Sequence, residues 1–193
     1  MFTGIITHLG TVVEKSKTDL KIKTDSQLLK KLENGASIAV NGICLTVIKK
    51  DKTSFSINFM PETEERTTIG YMQSKDEVNL ELPATASTLL SGHIVQGHVD
   101  TVGKIISIVK KGNSYLIAIS LPKTVNKYLV EKGSISVNGI SLTVISVSKD
   151  EFTLGIIPHT WEHTMLHSTK VGDFVNLEVD PLAKYIEKLI KLK

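Results

Sequence analysis

Arginine is almost missing from this sequence: Arg66 is the only one, and the rest of the basic charge is lysine. The guanidinium fork that reads phosphates and guanine edges is therefore nearly absent, and the net charge of +3 reads as solvated lysine rather than a nucleic-acid footprint. Aromatic residues are scarce at 5%, too few for the stacking platforms of single-strand binders. The single cysteine, Cys44, excludes an internal disulfide. The opening MFTGIITHLG lacks the basic flank and apolar core of a signal peptide, and no apolar run reaches the roughly 18–20 residues of a membrane span. A soluble, cytoplasmic protein with neither a membrane nor a nucleic-acid partner is expected. Nucleotide-binding and hydrolase signatures are missing too: no GxGxxG opens a helix, there is no GxxxxGK, and no GxSxG surrounds Ser91 or Ser141.

What the chain has instead is a second copy of itself. NGICLTV, residues 41–47, returns as NGISLTV, residues 138–144, with Cys44 exchanged for Ser141. The same spacing of 97 pairs FSINFMPETEERTT from Phe55 with FTLGIIPHTWEHTM from Phe152, and DEVNLEL from Asp76 with DFVNLEV from Asp173. Toward the N-terminus the spacing is 93, matching Gly4 and Gly10 to Gly97 and Gly103, so a short insertion lies between. Two homologous halves follow, and 193 residues at 41% hydrophobic content can give each a modest core.

SIAVNG, CLTVIKK, SFSINFM and DEVNLELP, then SISVNG, SLTVISV, EFTLGII and DFVNLEV, alternate apolar with polar residues and break at Gly, Asn, Asp and Lys. This is strand periodicity. An all-β fold is expected, with two tandem homologous small antiparallel Greek-key barrels over residues 1–86 and 87–179. The tail, residues 180–193, differs. Asp180 and Pro181 suit an N-cap and first helical residue, and Leu182, Tyr185, Ile186, Leu189 and Ile190 share one helical face. Its apolar partner is its own barrel or a neighbouring subunit; the second is favoured, because an appendage to two complete repeats has no slot in either.

The positions that carry information are those where the copies differ in a chemically capable residue. Cys44 faces Ser141, Ile5 faces His98, Gly35 faces Lys132 and Pro83 faces Asp180. His159, His163 and His167 stand four apart, a spacing that could line a zinc site on a helix, but their counterparts are Glu62, Arg66 and Gly70, and no metal is expected. His93 and His98, five apart, would point to opposite faces of a strand.

MFTGII, NGICLTV, SGHIVQGHVD, KGSISVNGISLTV and VNLEVDPLAKYIEK, in this order and over the whole chain, resemble the riboflavin synthase family. The resemblance implies conversion of two molecules of 6,7-dimethyl-8-ribityllumazine into riboflavin and 5-amino-6-ribitylaminouracil by transfer of a four-carbon unit, without cofactor or metal. It also implies a homotrimer held in part by C-terminal helices, an active site between the N-terminal barrel of one subunit and the C-terminal barrel of another, and an association with lumazine synthase as an option. Carried over by position, an N-terminal pocket would comprise Gly4, Ile5, Ile6, Cys44, Leu45, Thr46, Asn58, Phe59, Met60, Pro61, Glu62 and Thr63. A C-terminal pocket would comprise Gly97, His98, Val99, Lys132, Ser141, Leu142, Thr143, Ile156, Ile157, Pro158, His159, Thr160 and Trp161. The catalytic candidates are His98, Ser141, Cys44 and Asp180: His98 and Ser141, with Asp180, for proton transfer at the substrate methyl, and Cys44 or a water for addition at C7.

Two features depart from the family pattern. Asn138 replaces an Asp, removing a carboxylate expected near Ser141, and PHTWEHTM replaces PETLERTT, bringing in His159 and Trp161. The rival class is a non-catalytic lumazine- or flavin-binding protein of antenna type on the same fold; such relatives lose the polar residues of SGH and SLTV, which this chain keeps.

Overall fold

The structure is a computed structural model and describes residues 1–191. Strands β1 (His8–Lys15), β2 (Asp19–Thr24), β3 (Ser37–Val40), β4 (Ile43–Lys50), β5 (Ser54–Asn58) and β6 (Glu77–Glu81) close a barrel in the order β1-β2-β5-β4-β3-β6. Strands β7 (Thr101–Lys111), β8 (Ser114–Ser120), β9 (Ser134–Val137), β10 (Ile140–Val147), β11 (Glu151–Ile156) and β12 (Phe174–Val179) close a second in the same order. Every pairing is antiparallel, and strands that skip their sequence neighbours make each barrel a Greek key, as expected. Short helices connect them: α1 (Ser26–Lys31), α2 (Pro61–Arg66), α3 (Lys123–Asn126) and α4 (Pro158–His163). No helix among the described residues is long and apolar enough to cross a membrane.

Alternation sets which side chains face inward. In β4, Ile43, Leu45 and Val47 are buried while Cys44 and Thr46 point outward; in β10, Ile140, Leu142 and Val144 are buried while Ser141 and Thr143 point outward. Each buried aliphatic of this kind contributes about 1.5–3 kcal/mol, so either strand slipping by one residue would cost its whole inner row. Even the irregularities are duplicated. The register shifts between Val12 and Glu14 and between Val47 and Lys49, and again between Ile105 and Ser107 and between Val144 and Ser146. The change of spacing in the repeat falls in the β7–β8 hairpin, which is longer than β1–β2.

The duplicated Asn-Gly pairs are two-residue hairpin turns joining β3 to β4 and β9 to β10. Asn41 and Gly42 have φ of 44° and 75°, Asn138 and Gly139 of 46° and 80°, the left-handed pair that favours Asn followed by Gly. The turns meet back to back: a Cβ on Gly42 would lie 2.5 Å from the Gly139 nitrogen. Asn79 is bonded to both halves. Its backbone N–H donates to Asn41 Oδ1 (2.8 Å), while its side-chain Nδ2 donates across to the Asn138 carbonyl (2.9 Å). Asn176 repeats both bonds in mirror fashion, to Asn138 Oδ1 and to the Asn41 carbonyl. The repeat is thus a pseudo-two-fold arrangement with its axis through NG and VNL. Asn138, which the sequence marked as a departure, is spent on Asn176 and on Met165 Sδ (3.3 Å), so its amide belongs to this junction.

Candidate functional site

The chain ahead of each barrel lies against the other barrel. Residues 1–7, preceding β1, cross to the second barrel, where Ser141 N–H donates to the Gly4 carbonyl (2.8 Å) and Ile6 packs on the second core. Residues 94–100, preceding β7, cross to the first, where Cys44 N–H donates to the Gly97 carbonyl (2.9 Å) and Val99 packs on the first core. The crossing strands also pair with each other, Phe2 against Val95. Gly4 and Gly97 have φ of 77° and 80°, and a Cβ on either would sit 2.6 Å from the Cβ of Ser141 or Cys44.

This corrects the grouping expected from linear order. Gly4, Ile5 and Ile6 belong with Ser141, while Gly97, His98 and Val99 belong with Cys44, because each half lends its leading segment to its neighbour. His93 and His98 lie on this irregular segment, so the expected strand alternation between them does not apply.

Around Cys44 there is a cavity of about 350 Å³, lined by Glu62, Thr63, Arg66, Gln96, Gly97, His98, Val99, Asp100 and Lys184. That volume lies within the range of small-molecule pockets. His98 is exposed, Cys44 is half-buried, and Glu62 pairs with Arg66 along α2 (3.2 Å). The second half-site is centred on a contact that the sequence did not single out: His93 Nδ1 lies 2.7 Å from Ser141 Oγ. His93 is buried, its Nε2 has no partner among the described residues, and burial pushes its pKa below the usual imidazole range while the Asp180 carboxylate pulls the other way. A neutral imidazole on a serine hydroxyl is a general-base arrangement. The sequence signal for it is SGH, residues 91–93, a histidine just ahead of the second barrel.

Two buried carboxylates hold the crossing segments, and these also escaped the sequence reading. Glu81 accepts from Thr3 N–H (2.7 Å), Thr3 Oγ1–H (2.7 Å) and Gly4 N–H (3.1 Å). Its counterpart Glu178 accepts from the N–H groups of Gln96 (2.6 Å), Gly97 (2.9 Å) and His98 (3.1 Å). Burial raises the pKa of both, Glu178 to about 7, although the backbone donors pull it down.

The other expected residues divide. Thr46 and Thr143 share the outer strand face with Cys44 and Ser141. Leu45, Leu142, Phe59 and Ile156 are buried core side chains, below the surface where a ligand would lie. Met60 and Ile157 are exposed and cap α2 and α4, Pro61 and Pro158 open those helices, and Thr160 and His159 follow in α4. Asn58, at the end of β5, bonds to Asp19. Trp161 stacks on Tyr115 with ring centroids 3.8 Å apart. Lys132 does not line the Cys44 cavity; its N–H donates to the Val144 carbonyl in a left-handed turn (φ 64°), as the Gly35 N–H (φ 84°) does to the Val47 carbonyl, so the two positions share one backbone conformation and nothing in it explains the exchange of Gly for Lys. His159 and His163 stack on each other (4.3 Å), whereas His167 turns to Glu77 (3.1 Å), and no group of three His, Cys, Asp or Glu among the described residues is placed to hold a metal.

The tail forms α5 (Pro181–Ile190), capped by the Asp180 carboxylate on Leu182 N–H (2.9 Å). Glu187 ties it to Lys127 and Tyr128, and a groove of about 570 Å³ lies between helix and barrel. Leu182, Tyr185, Ile186, Leu189 and Ile190 remain exposed on its surface.

Paired antiparallel barrels with a ligand-sized cavity on an outer face define a class, and the lumazine binding domain family matches the chain twice, over residues 3–83 and 96–180. Crystal structures of LumP with riboflavin and with 6,7-dimethyl-8-(1'-D-ribityl) lumazine share the fold, at TM-scores of 0.87 and 0.85, covering 93% of this chain and 99% of that one at 24% and 23% identity. Full-length similarity is higher to riboflavin synthases: 43% identity with that of Photobacterium phosphoreum over 98% of this chain and 89% of the relative. It is 41% with that of Mycobacterium bovis, over 99% and 98%, and 39% with that of Bacillus subtilis, over 98% and 90%. The chain belongs to the riboflavin synthase family.

Proposed function

We propose that the chain is a transferase that converts two molecules of 6,7-dimethyl-8-ribityllumazine into one riboflavin and one 5-amino-6-ribitylaminouracil. The observation that carries this reading is the pair of half-sites on one pseudo-symmetric frame, alike in backbone and different in chemistry, Cys44 with His98 in one and Ser141 with His93 in the other. One substrate in two roles needs that combination. The two products together contain every atom of the two substrates, so no oxidant, reductant or cofactor has to enter.

In the Ser141 half-site, the hydroxyl donates to His93 Nδ1, and the pair takes a proton from the methyl on C7 of one lumazine. In the Cys44 half-site, the thiol or a water adds to C7 of the other, with His98 beside it to move the proton. The carbanion then attacks that adduct, the four-carbon unit passes across as the thiol or water added at C7 is expelled, and the pyrimidinedione leaves. Backbone groups of the crossing segments, together with Thr46 and Thr143, supply polar contacts to the heterocycle and ribityl chain. Holding two rings face to face contributes on the order of 7–11 kcal/mol when the geometry is productive. Asp180, which fixes the start of α5 and faces His93, is a positioning residue.

The half-sites of one chain are completed by those of neighbours in a homotrimer of cytoplasmic subunits, each chain comprising the units 1–86, 87–179 and 180–193, and the exposed apolar face of α5 supports that assembly. The test is to incubate the purified protein with the lumazine alone and follow riboflavin and the pyrimidinedione, which must appear in equal amounts. Ser141→Ala and His93→Ala are each expected to lower kcat by about 10²–10⁴-fold, the range of general-base catalysis. Tight binding of the lumazine without turnover would overturn the reading in favour of an antenna-type binder.

A further inference from the structure

The two half-sites are held unequally. Glu81 and Glu178 do the same work for the two crossing segments, but among the described residues a second carboxylate, with an ion pair to α5, is found on the segment that carries His98. Asp100 Oδ2 accepts from Val179 N–H (3.0 Å), and Asp100 Oδ1 meets the ammonium of Lys184, on α5, at 2.6 Å. The same ammonium lies near enough to Glu178 to favour its charged form. Lys184 therefore sits between the two carboxylates from which residues 96–100 hang, and it lines the Cys44 cavity. At the equivalent places in the other half the sequence has Thr7 for Asp100 and Ser87 for Lys184, which cannot form an ion pair.

We propose that Lys184 is a positioning residue for the Cys44–His98 half-site, through which the docking of helix α5 sets the placement of His98. Both partners are mostly shielded, with side-chain exposures of 31% for Lys184 and 21% for Asp100, so the contact is screened less than a surface pair. The segment has no slack to absorb its loss: Gly97 is pressed against Cys44 closely enough that even a Cβ would not fit. A shift at Asp100 is transmitted along two residues to His98. The Ser141 half-site meets α5 at its cap, where Asp180 faces His93, but among the described residues its leading segment 1–7 has no ion pair to the helix, so loss of the Lys184 ammonium is expected to act on one of the two sites.

This inference rests on the proposed dismutation for its activity readout but not for its structural one. In the full-length protein, Lys184→Met is expected to speed backbone amide exchange of residues 96–98 at least tenfold while leaving residues 3–5 unchanged, with the sedimentation coefficient as in the wild type. Turnover should fall at least fivefold in kcat with KM moving less than twofold, and Lys184→Arg should restore both. Equal exchange in the two segments, or no change in either, overturns the role of Lys184 even if the wild type makes riboflavin. Selective exchange at 96–98 sustains it even if the wild type does not. Asp100→Asn serves as the second variant and must reproduce the same selectivity; if it loosens 3–5 as well, the proposal fails.

Discussion

Glu178→Gln tests whether burial or hydrogen bonding governs the clamp on the His98 segment. Glu178 is 2% exposed, and its carboxyl pKa is raised by burial to about 7 from an unfolded value of 4.5. A carboxyl whose folded pKa is raised binds a proton in the native state where the unfolded chain has lost it. Its stabilising effect is complete below pH 4.5 and is lost as pH rises through 7. Between pH 5 and pH 8 about two pH units of that difference are traversed, each worth about 1.4 kcal/mol, so the wild type should lose roughly 2–3 kcal/mol from this one group. The glutamine variant has no proton to lose. It leaves one of the three backbone donors facing an amide N–H, a defect of about 1–3 kcal/mol that does not depend on pH. Denaturant unfolding of both proteins at pH 5, 6, 7 and 8, at one protein concentration, reads the difference directly, since the contributions of Glu81, His93 and every other group cancel. The stability gap between wild type and variant should narrow by about 2–3 kcal/mol across the series. A gap that stays constant or widens with pH would show that the backbone donors keep Glu178 ionised in the folded state, and the reasoning from burial would be wrong.

Gly97→Ala puts a methyl where the Cys44 Cβ already lies at 2.6 Å, and should cut turnover at least tenfold; Gly35→Ala imposes a similar left-handed strain (φ 84°) with nothing within 4 Å, and should cost only about 1–2 kcal/mol of stability in a thermal or urea melt. Asn138→Ala loses the acceptor for the buried Asn176 N–H at a position with φ of 46°, and is expected to lower stability by about 2–4 kcal/mol in urea unfolding, destabilising both barrels because the Asn-Gly turns support each other.

Strand periodicity and the internal repeat carry the barrels because alternation and a two-residue Asn-Gly turn are local in the sequence. Cys44, Thr46, Ser141 and Thr143 could be placed on an outer face from the same alternation. The partners of Cys44 and Ser141 could not, since nothing local says that Gly97 crosses to one and Gly4 to the other. Glu81 and Glu178 stand in VNLEL and VNLEV, yet an isolated glutamate at a strand end reads as solvated until the donors pointing at it are found, two backbone N–H groups and a hydroxyl for Glu81 and three backbone N–H groups for Glu178. His93 escaped for the same reason: the partner of its ring, Ser141, is brought to it by the fold. The apolar stripe of α5 was legible from helical spacing, but its tethers, Glu187 to Lys127 and Tyr128 and Lys184 to Asp100, join residues remote in sequence.

The exchange of leading segments changes how any hybrid of this chain must be read. A chimera made by joining the first half of one relative to the second half of another would not contain one native and one foreign half-site. It would contain two mixed ones, each with a barrel wall from one parent and a covering segment from the other. Cutting instead so that residues 1–7 and His93 travel with the second barrel and 94–100 with the first would keep both half-sites intact at the cost of extra joints.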